Sequence, residues 1–112
     1  MVSFHFGLPA RPLLDRVRAT GAKVFCSATT VAEARQLEHE GCDVIIAQGA
    51  EAGGHRGMFL ADEVASQVGT FALVPQVVYA VKVPVLAAGG IADGRGVLEA
   101  IALGASGVQI GT

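Results

Sequence analysis

Charged and aromatic residues are scarce in this sequence. Of its 112 residues, 16% are charged and 5% are aromatic, and tryptophan is absent. Soluble domains usually carry about 25% charged residues, so this chain is rich in apolar residues. The net charge is −2 and no basic patch is visible, which argues against a protein that binds nucleic acid.

No long hydrophobic run and no signal peptide is visible in the sequence. Hydrophobic residues make up 52% of the chain, but they fall in runs well below the roughly 18 residues of a membrane span. Residues 1–5 lack the basic start and long apolar core of a signal peptide. Cys26 and Cys42 lie in or beside predicted strands, where free thiols are expected rather than a disulfide. These features predict a cytoplasmic protein with no membrane partner.

Short apolar runs alternate with amphipathic stretches along the chain. The runs predict strands over residues 2–6, 23–27, 43–47, 84–88 and 107–110. The stretches predict helices over residues 12–20, 31–40, 70–81 and 93–103, and a long connection covers residues 48–69. Apolar strands joined by helices predict an α/β fold, with a parallel sheet covered by helices.

The alternation of strand and helix is typical of a (β/α)8 TIM barrel. A complete barrel takes about 250 residues and eight strands, whereas this sequence predicts about five parallel strands and ends at the last of them. We therefore expect residues 1–112 to form one partial domain, the C-terminal portion of a barrel without its N-terminal strands and last helix. A free-standing open sheet of five strands is the alternative. A partial barrel would leave sheet edges unpaired, which favours self-association.

The predicted helix over residues 31–40 has clear end signals. Thr29 or Thr30 can cap its start, and Glu33 follows Thr30 by three residues as in a capping box. Gly41 stands at the favoured C-terminal position.

A glycine-rich segment, residues 49–57, follows the third predicted strand and contains His55. Parallel α/β folds hold their active sites at the C-terminal ends of strands, and glycine lets the main chain approach a ligand closely. Near neutral pH, a histidine there can act as a base, a donor or an electrostatic stabiliser. We expect His55 to carry the chemistry, although a lone histidine is often a surface or core residue. Glu51 either orients His55 or lies in solvent, and Arg56 either binds an anion or lies in solvent.

Two further polar side chains fall near the same ends of predicted strands. Strand alternation puts His5 on the face opposite Phe4 and Phe6, where an inward side chain reaches the ligand-binding mouth of a barrel. A buried, hydrogen-bonded core histidine is the alternative. Gln48 ends the third strand, and its amide suits an isoalloxazine or a base edge. The alternative for Gln48 is a capped strand end.

Glycine-bearing turns follow the last two predicted strands, over residues 87–94 and 108–112. In barrels, the corresponding loops often bind a phosphate through main-chain N–H groups and a helix N-terminus. The Thr112 hydroxyl can donate to the same group. Ordinary tight turns are the alternative, and the simplest role of Asp93 is to cap the following helix.

Other kinds of site find no support in the sequence. The three histidines lie on different elements without the short spacings of zinc sites, so we expect no metal. No phosphate-binding P-loop or dinucleotide fingerprint occurs, and Ser27 and Ser106 have no nucleophile-elbow context.

Residues 48–57, 87–96 and 109–112 together resemble the FMN-dependent nitronate monooxygenases, also called 2-nitropropane dioxygenases. The resemblance runs from residues 2–7 to the end of the chain, and residues 48–57 are its most specific motif. Residues 89–96 are shared more widely, including with FMN-dependent enoyl-ACP reductases. The insertion over residues 58–69 and the strand around His5 favour the nitronate enzymes.

The resemblance implies an FMN-binding barrel that oxidises alkyl nitronates, such as propionate-3-nitronate, with O₂. His55 matches the catalytic histidine of the family, and His5 matches a second histidine of its active site, where substrate binds. The cofactor-binding set that it implies is Gln48, Gly53, Gly89, Gly90, Gln109, Ile110, Gly111 and Thr112. An enoyl-ACP reductase on the same scaffold and a catalytically inactive barrel fragment remain the alternatives.

Overall fold

The computed structural model describes residues 1–111, and it contains the predicted alternation of strands and helices. The strands are β1 (Val2–Phe4), β2 (Val24–Ala28), β3 (Val44–Gln48), β4 (Val85–Ala88) and β5 (Gly107–Gln109). The helices are α1 (Arg11–Ala19), α2 (Val31–His39), α3 (Thr70–Ala80) and α4 (Gly94–Ala102). A short 3₁₀ turn, Val64–Ser66, lies within the long connection between β3 and α3.

The strands form one parallel sheet in the order β1-β2-β3-β4-β5. Each strand pairs with its successor in sequence, for example through Cys26 with Ile45 and through Ile45 with Val85. Doubly wound open sheets reverse direction and have orders such as 3-2-1-4-5-6. The uninterrupted order is that of a barrel wall, so the fold is a portion of a (β/α)8 barrel, as predicted.

All four helices pack on one face of the sheet. Each helix contributes at least one residue to the same buried cluster, for example Leu14, Leu37, Leu73 and Ala100. The strands contribute alternate residues to it, namely Val24, Cys26, Ala28, Ile45, Ala47, Val85 and Ala87. Because side chains alternate between the two faces of a strand, Ser27 and Gln48 face away from the helices. In a barrel, that second face lines the interior.

Local differences from the predicted boundaries have identifiable causes. Strand β1 ends at Phe4 because Phe6 has a φ of 64° and Gly7 a φ of 88°, so the main chain turns there. Helix α2 is capped by Thr30, whose side chain accepts a hydrogen bond from the N–H of Glu33. It ends before Gly41, which has a φ of 89° and suits the left-handed position after a helix.

Cys26 and Cys42 are free and buried, as predicted. Among residues 1–111, no helix is long and apolar enough to cross a membrane.

Candidate functional site

A cavity of about 490 Å³ opens at the C-terminal ends of β3, β4 and β5. It is lined by Gln48, Ala52, Gly53, Ala88, Gly89, Gly90, Ile91, Ala92, Gln109, Ile110 and Gly111. The structure thus brings together along one cavity the described residues of the predicted cofactor-binding set. Thr112 lies outside the described residues. Ligand pockets have volumes of about 300–1,000 Å³, so the cavity has room for a cofactor.

The turn after β4 has a conformation that requires glycine. Gly89 and Gly90 have φ values of 116° and 71°, in the region that other residues rarely adopt. A Cβ on Gly89 would also come within 2.8 Å of the Thr70 hydroxyl oxygen. Both glycines also line the cavity.

Asp93 caps α4, as the sequence suggested. Its carboxylate accepts hydrogen bonds from the N–H groups of Arg95 at 2.9 Å and Gly96 at 3.4 Å. The Arg95 guanidinium also pairs with it at 2.6 Å, and these contacts, the guanidinium first, lower the pKa of Asp93. Because Asp93 occupies the start of α4, the turn over residues 89–92 is the part that remains for an anionic ligand.

Gln48 holds the histidine-bearing loop with both ends of its amide. Its Nε2 donates to the main-chain carbonyl of His55 at 3.1 Å, and its Oε1 accepts from the N–H of Gly57 at 2.7 Å. A side-chain amide carries a second N–H and a second lone pair. Gln48 therefore fixes the loop and still has polar capacity toward the cavity that it lines.

The His5 ring contacts the same carbonyl. Its Nε2 lies 3.3 Å from the His55 carbonyl oxygen, and its Nδ1 lies 3.1 Å from the Ser27 hydroxyl. A carbonyl only accepts, so hydrogen bonding assigns the proton of a neutral ring to Nε2 and makes Nδ1 the acceptor for Ser27. His5 is exposed rather than buried in a core, and its ring supports the main chain at His55.

The His55 side chain is exposed at this edge of the sheet. Its ring lies edge-on to Phe6, with 6.1 Å between ring centroids, and the Phe6 ring is 4.4 Å from that of His5. The structure therefore gathers both predicted histidines into one cluster. Gln48 joins this cluster to the cavity, because it lines the cavity and binds the main chain at His55.

Glu51 does not contact His55, and it is not simply solvated. Its carboxylate accepts hydrogen bonds from the N–H and the hydroxyl of Thr70, both at 2.8 Å, at the start of α3. Burial alone would raise the pKa of Glu51, but the Thr70 hydrogen bonds and the Arg56 charge outweigh it and lower the pKa. The sequence could not show this role, because the partner lies in the next helix.

Arg56 also has a structural role rather than either of the two expected ones. Its guanidinium donates to the carbonyl of Gly49 at 2.9 Å and to the carbonyl of Ala52. These hydrogen bonds hold residues 49–52 in a turn. The guanidinium N–H groups of Arg56 therefore bind main-chain carbonyls of its own loop.

Glu33 makes more contacts than the capping-box pattern predicts. It is 0% exposed, and its carboxylate accepts hydrogen bonds from the Thr29 N–H at 3.1 Å and the Phe59 N–H at 2.5 Å. The capping-box pattern correctly predicted the Thr30 cap. It gave no sign that the carboxylate also reaches the long connection.

Comparison with known proteins decides the family. The nitronate monooxygenase family model matches residues 1–112. The chain belongs to the nitronate monooxygenase family. A probable nitronate monooxygenase of Staphylococcus aureus (strain Newman) is 54% identical over 110 residues, which are 97% of this chain and 31% of that protein. The chain spans about a third of the length of the curated relatives that it matches.

Solved structures agree with this family. Nitroalkane oxidase from Streptomyces ansochromogenes superposes with a TM-score of 0.91 at 44% identity, over 98% of this chain and 32% of that one. FabK from Thermotoga maritima superposes with a TM-score of 0.81 at 40% identity, over 98% of this chain and 32% of its own. A mandelate oxidase with an FMN adduct superposes with a TM-score of 0.59 at 31% identity, over 85% of this chain and 29% of its own. The fold is thus shared with flavin enzymes.

Proposed function

We propose that this chain forms the FMN-binding and histidine-bearing part of an enzyme that oxidises alkyl nitronates, such as propionate-3-nitronate, with O₂. The observation that carries the proposal is the cavity at the C-terminal edge of the sheet. The glycine turn after β4, residues 109–111 at the end of β5 and the end of β3 line this cavity, and the two histidines cluster beside it through Gln48.

The residues present fit FMN. A Cβ built on Gly53 or on Gly111 would meet no atom within 4 Å, so the bare main chain leaves open space on this side of the cavity. In our proposal, the turn at Gly89 and Gly90 and the segment from Gln109 to Thr112 hold the phosphate through N–H groups, as barrel loops commonly do. Gln48 and Gly53 contact the flavin ring. When bound, FMN would supply the electron-transfer chemistry.

His55 binds the nitronate in this proposal. A nitronate is an anion, and an imidazole near neutral pH is a ready hydrogen-bond donor to developing or existing negative charge. His5 acts beside it on the substrate side and holds the main chain of His55 in place. The cytoplasm is the proposed location, because both cysteines are free and buried and free thiols persist in reducing compartments.

The proposal is tested by flavin binding followed by turnover. The purified chain is incubated with FMN and desalted, and its visible spectrum is recorded. Turnover is measured as nitronate-dependent O₂ uptake in a chimera in which this chain replaces the matching segment of the Staphylococcus aureus relative. His55→Ala is compared with His39→Ala, since His39 is an exposed histidine at the C-terminal end of α2.

We expect retained flavin bands in the chain, O₂ uptake in the chimera, and loss of uptake in His55→Ala alone. A chain that retains no FMN would support the inactive-fragment alternative, in which the rest of the barrel is required, and a chimera that retains no FMN would contradict a cofactor site formed by these residues. A chimera that oxidises NAD(P)H with an enoyl thioester, and leaves nitronates unchanged, would support the enoyl-ACP reductase alternative.

A further inference from the structure

Glu33 divides its two carboxylate oxygens between two parts of the chain. Oε1 accepts hydrogen bonds from the N–H of Thr29 at 3.1 Å and from its hydroxyl at 2.5 Å, in the turn between β2 and α2. Oε2 accepts from the N–H of Phe59 at 2.5 Å and lies 3.4 Å from that of Leu60, in the connection between β3 and α3. The side chain is fully buried.

These partners suit a carboxylate and no other side chain of similar size. All of them donate, and an ionised carboxylate only accepts. A buried charge is tolerated where hydrogen bonds replace its hydration. A glutamine in its place would keep one accepting oxygen and would turn an NH₂ group toward a donor on the other side.

The hydrogen bond to Phe59 completes the support of the loop that carries His55. On the sheet side, Gln48 holds the carbonyl of His55 and the N–H of Gly57. On the helix side, Glu33 holds the N–H of Phe59, four residues after His55 in the sequence. The segment over residues 55–59 is thus fixed from both a strand end and the start of α2.

We infer that Glu33 is a positioning residue, whose Oε2 fixes the main chain at Phe59 and thereby the position of His55 beside the cavity. The structural part of this inference stands independently of the reaction. Its kinetic consequence rests on the proposed oxidation of nitronates.

The chain supplies a matched control on the same helix. The Oε1 of Glu38 accepts hydrogen bonds from the N–H groups of Lys82 at 2.5 Å and Val83 at 3.2 Å, before β4. Glu38 therefore also binds two consecutive main-chain N–H groups, but near the C-terminal end of α2 and away from the cavity. Glu33→Gln and Glu38→Gln make the same chemical change at opposite ends of α2.

Hydrogen–deuterium exchange of the full 112-residue chain tests the structural part. We expect Glu33→Gln to speed exchange in peptides that cover residues 55–60, on the order of tenfold or more for loss of a hydrogen bond to a charged group. Glu38→Gln should instead speed exchange around residues 81–84. Glu33→Asp, which keeps the charge but shortens the reach, is the second variant if Glu33→Gln fails to fold. Unchanged exchange at residues 55–60 in the folded variant would overturn the inference.

Kinetics of the FMN-loaded chimera separate positioning from general stability. We expect kcat/KM for propionate-3-nitronate to fall on the order of tenfold to a hundredfold in Glu33→Gln, as for a slightly displaced reacting group. FMN retention should stay the same, and Glu38→Gln should change neither property. An equal loss in both variants would contradict positioning. Faster exchange at residues 55–60 without nitronate oxidation by the unsubstituted chimera would support positioning and overturn the proposed function.

Discussion

Glu51 and Thr70 connect the histidine-bearing loop to the glycine turn of the cavity. The carboxylate of Glu51 accepts hydrogen bonds from the Thr70 N–H and hydroxyl, both at 2.8 Å. The same hydroxyl oxygen lies 3.0 Å from the carbonyl oxygen of Gly89. Helix α3 has Gly69 at its N-cap, which offers no side chain, so Glu51 supplies the cap from the preceding loop.

Glu51→Gln should destabilise the chain by about 1 kcal/mol at neutral pH, the usual cost of losing a helix cap. The folded state lowers the pKa of Glu51. The contribution of Glu51 to the free energy of unfolding is therefore complete above the unfolded pKa and is lost as pH falls through the lowered folded pKa. The difference between the two proteins should therefore shrink in acid. Urea unfolding at about pH 7 and about pH 3 measures it.

Glu63→Gln is the matched control for that prediction. Glu63 is an exposed carboxylate of the same connection between β3 and α3, and exposed charges away from such contacts change stability by about 0.5 kcal/mol or less. A loss in Glu51→Gln that persists unchanged at about pH 3 would show that ionised Glu51 is not the cap.

Gly49→Ala should destabilise the chain by about 1–3 kcal/mol or more, as overpacking does. A Cβ on Gly49 would overlap the Thr70 hydroxyl and lie 2.5 Å from the Thr70 nitrogen. Gly94→Ala is the control, because a Cβ there meets no atom within 4 Å. Equal urea midpoints for the two variants would contradict the close approach of β3 and α3.

Strands, helices and helix caps were predicted well because each depends on residues that are close together in the sequence. The apolar runs around Ile45 and Val85 marked their strands, and Thr30 marked the start of α2, since a cap bonds within three residues. The family motif also named the residues that line the cavity. The roles of Glu33 and Glu51 were not predicted, because the carboxylate of each accepts a hydrogen bond from an N–H group far along the chain. Only the tertiary structure brings such partners together. The turn at Phe6 was not predicted, because a positive φ is uncommon in a residue other than glycine.

Cys26 and Cys42 should resist alkylation in the folded chain. Burial, followed by the effect of Cys42, raises the pKa of Cys26 to about 12, and burial raises the pKa of Cys42 to about 11. Only the thiolate reacts, so iodoacetamide at about pH 8 should label both thiols in guanidinium chloride and neither in the native protein. Rapid native labelling would contradict their burial.

The same thiols should make the folded chain less stable in alkali. Their ordinary pKa is 9.0, and the folded values lie above it. The contribution of these thiols to the free energy of unfolding is therefore present below the unfolded pKa. It is lost as pH rises toward the folded pKa values, because only the unfolded chain releases these protons. The urea midpoint should fall above about pH 9, and Cys26→Ala with Cys42→Ala should remove that part of the fall.

Gly53→Val should abolish FMN retention and leave the fold intact. A Cβ on Gly53 meets no atom within 4 Å, and Gly53 lines the cavity, so an added isopropyl group occupies the space in which the flavin ring is proposed to lie. Gly94→Val is the matched control, because its Cβ is equally free of contacts and Gly94 starts α4 outside the cavity lining. Visible absorbance after desalting and the urea midpoint are measured for both variants. Equal flavin retention in the two folded variants would mean that the bound flavin does not contact Gly53. Loss of flavin in Gly53→Val alone would place the cofactor against the histidine-bearing loop.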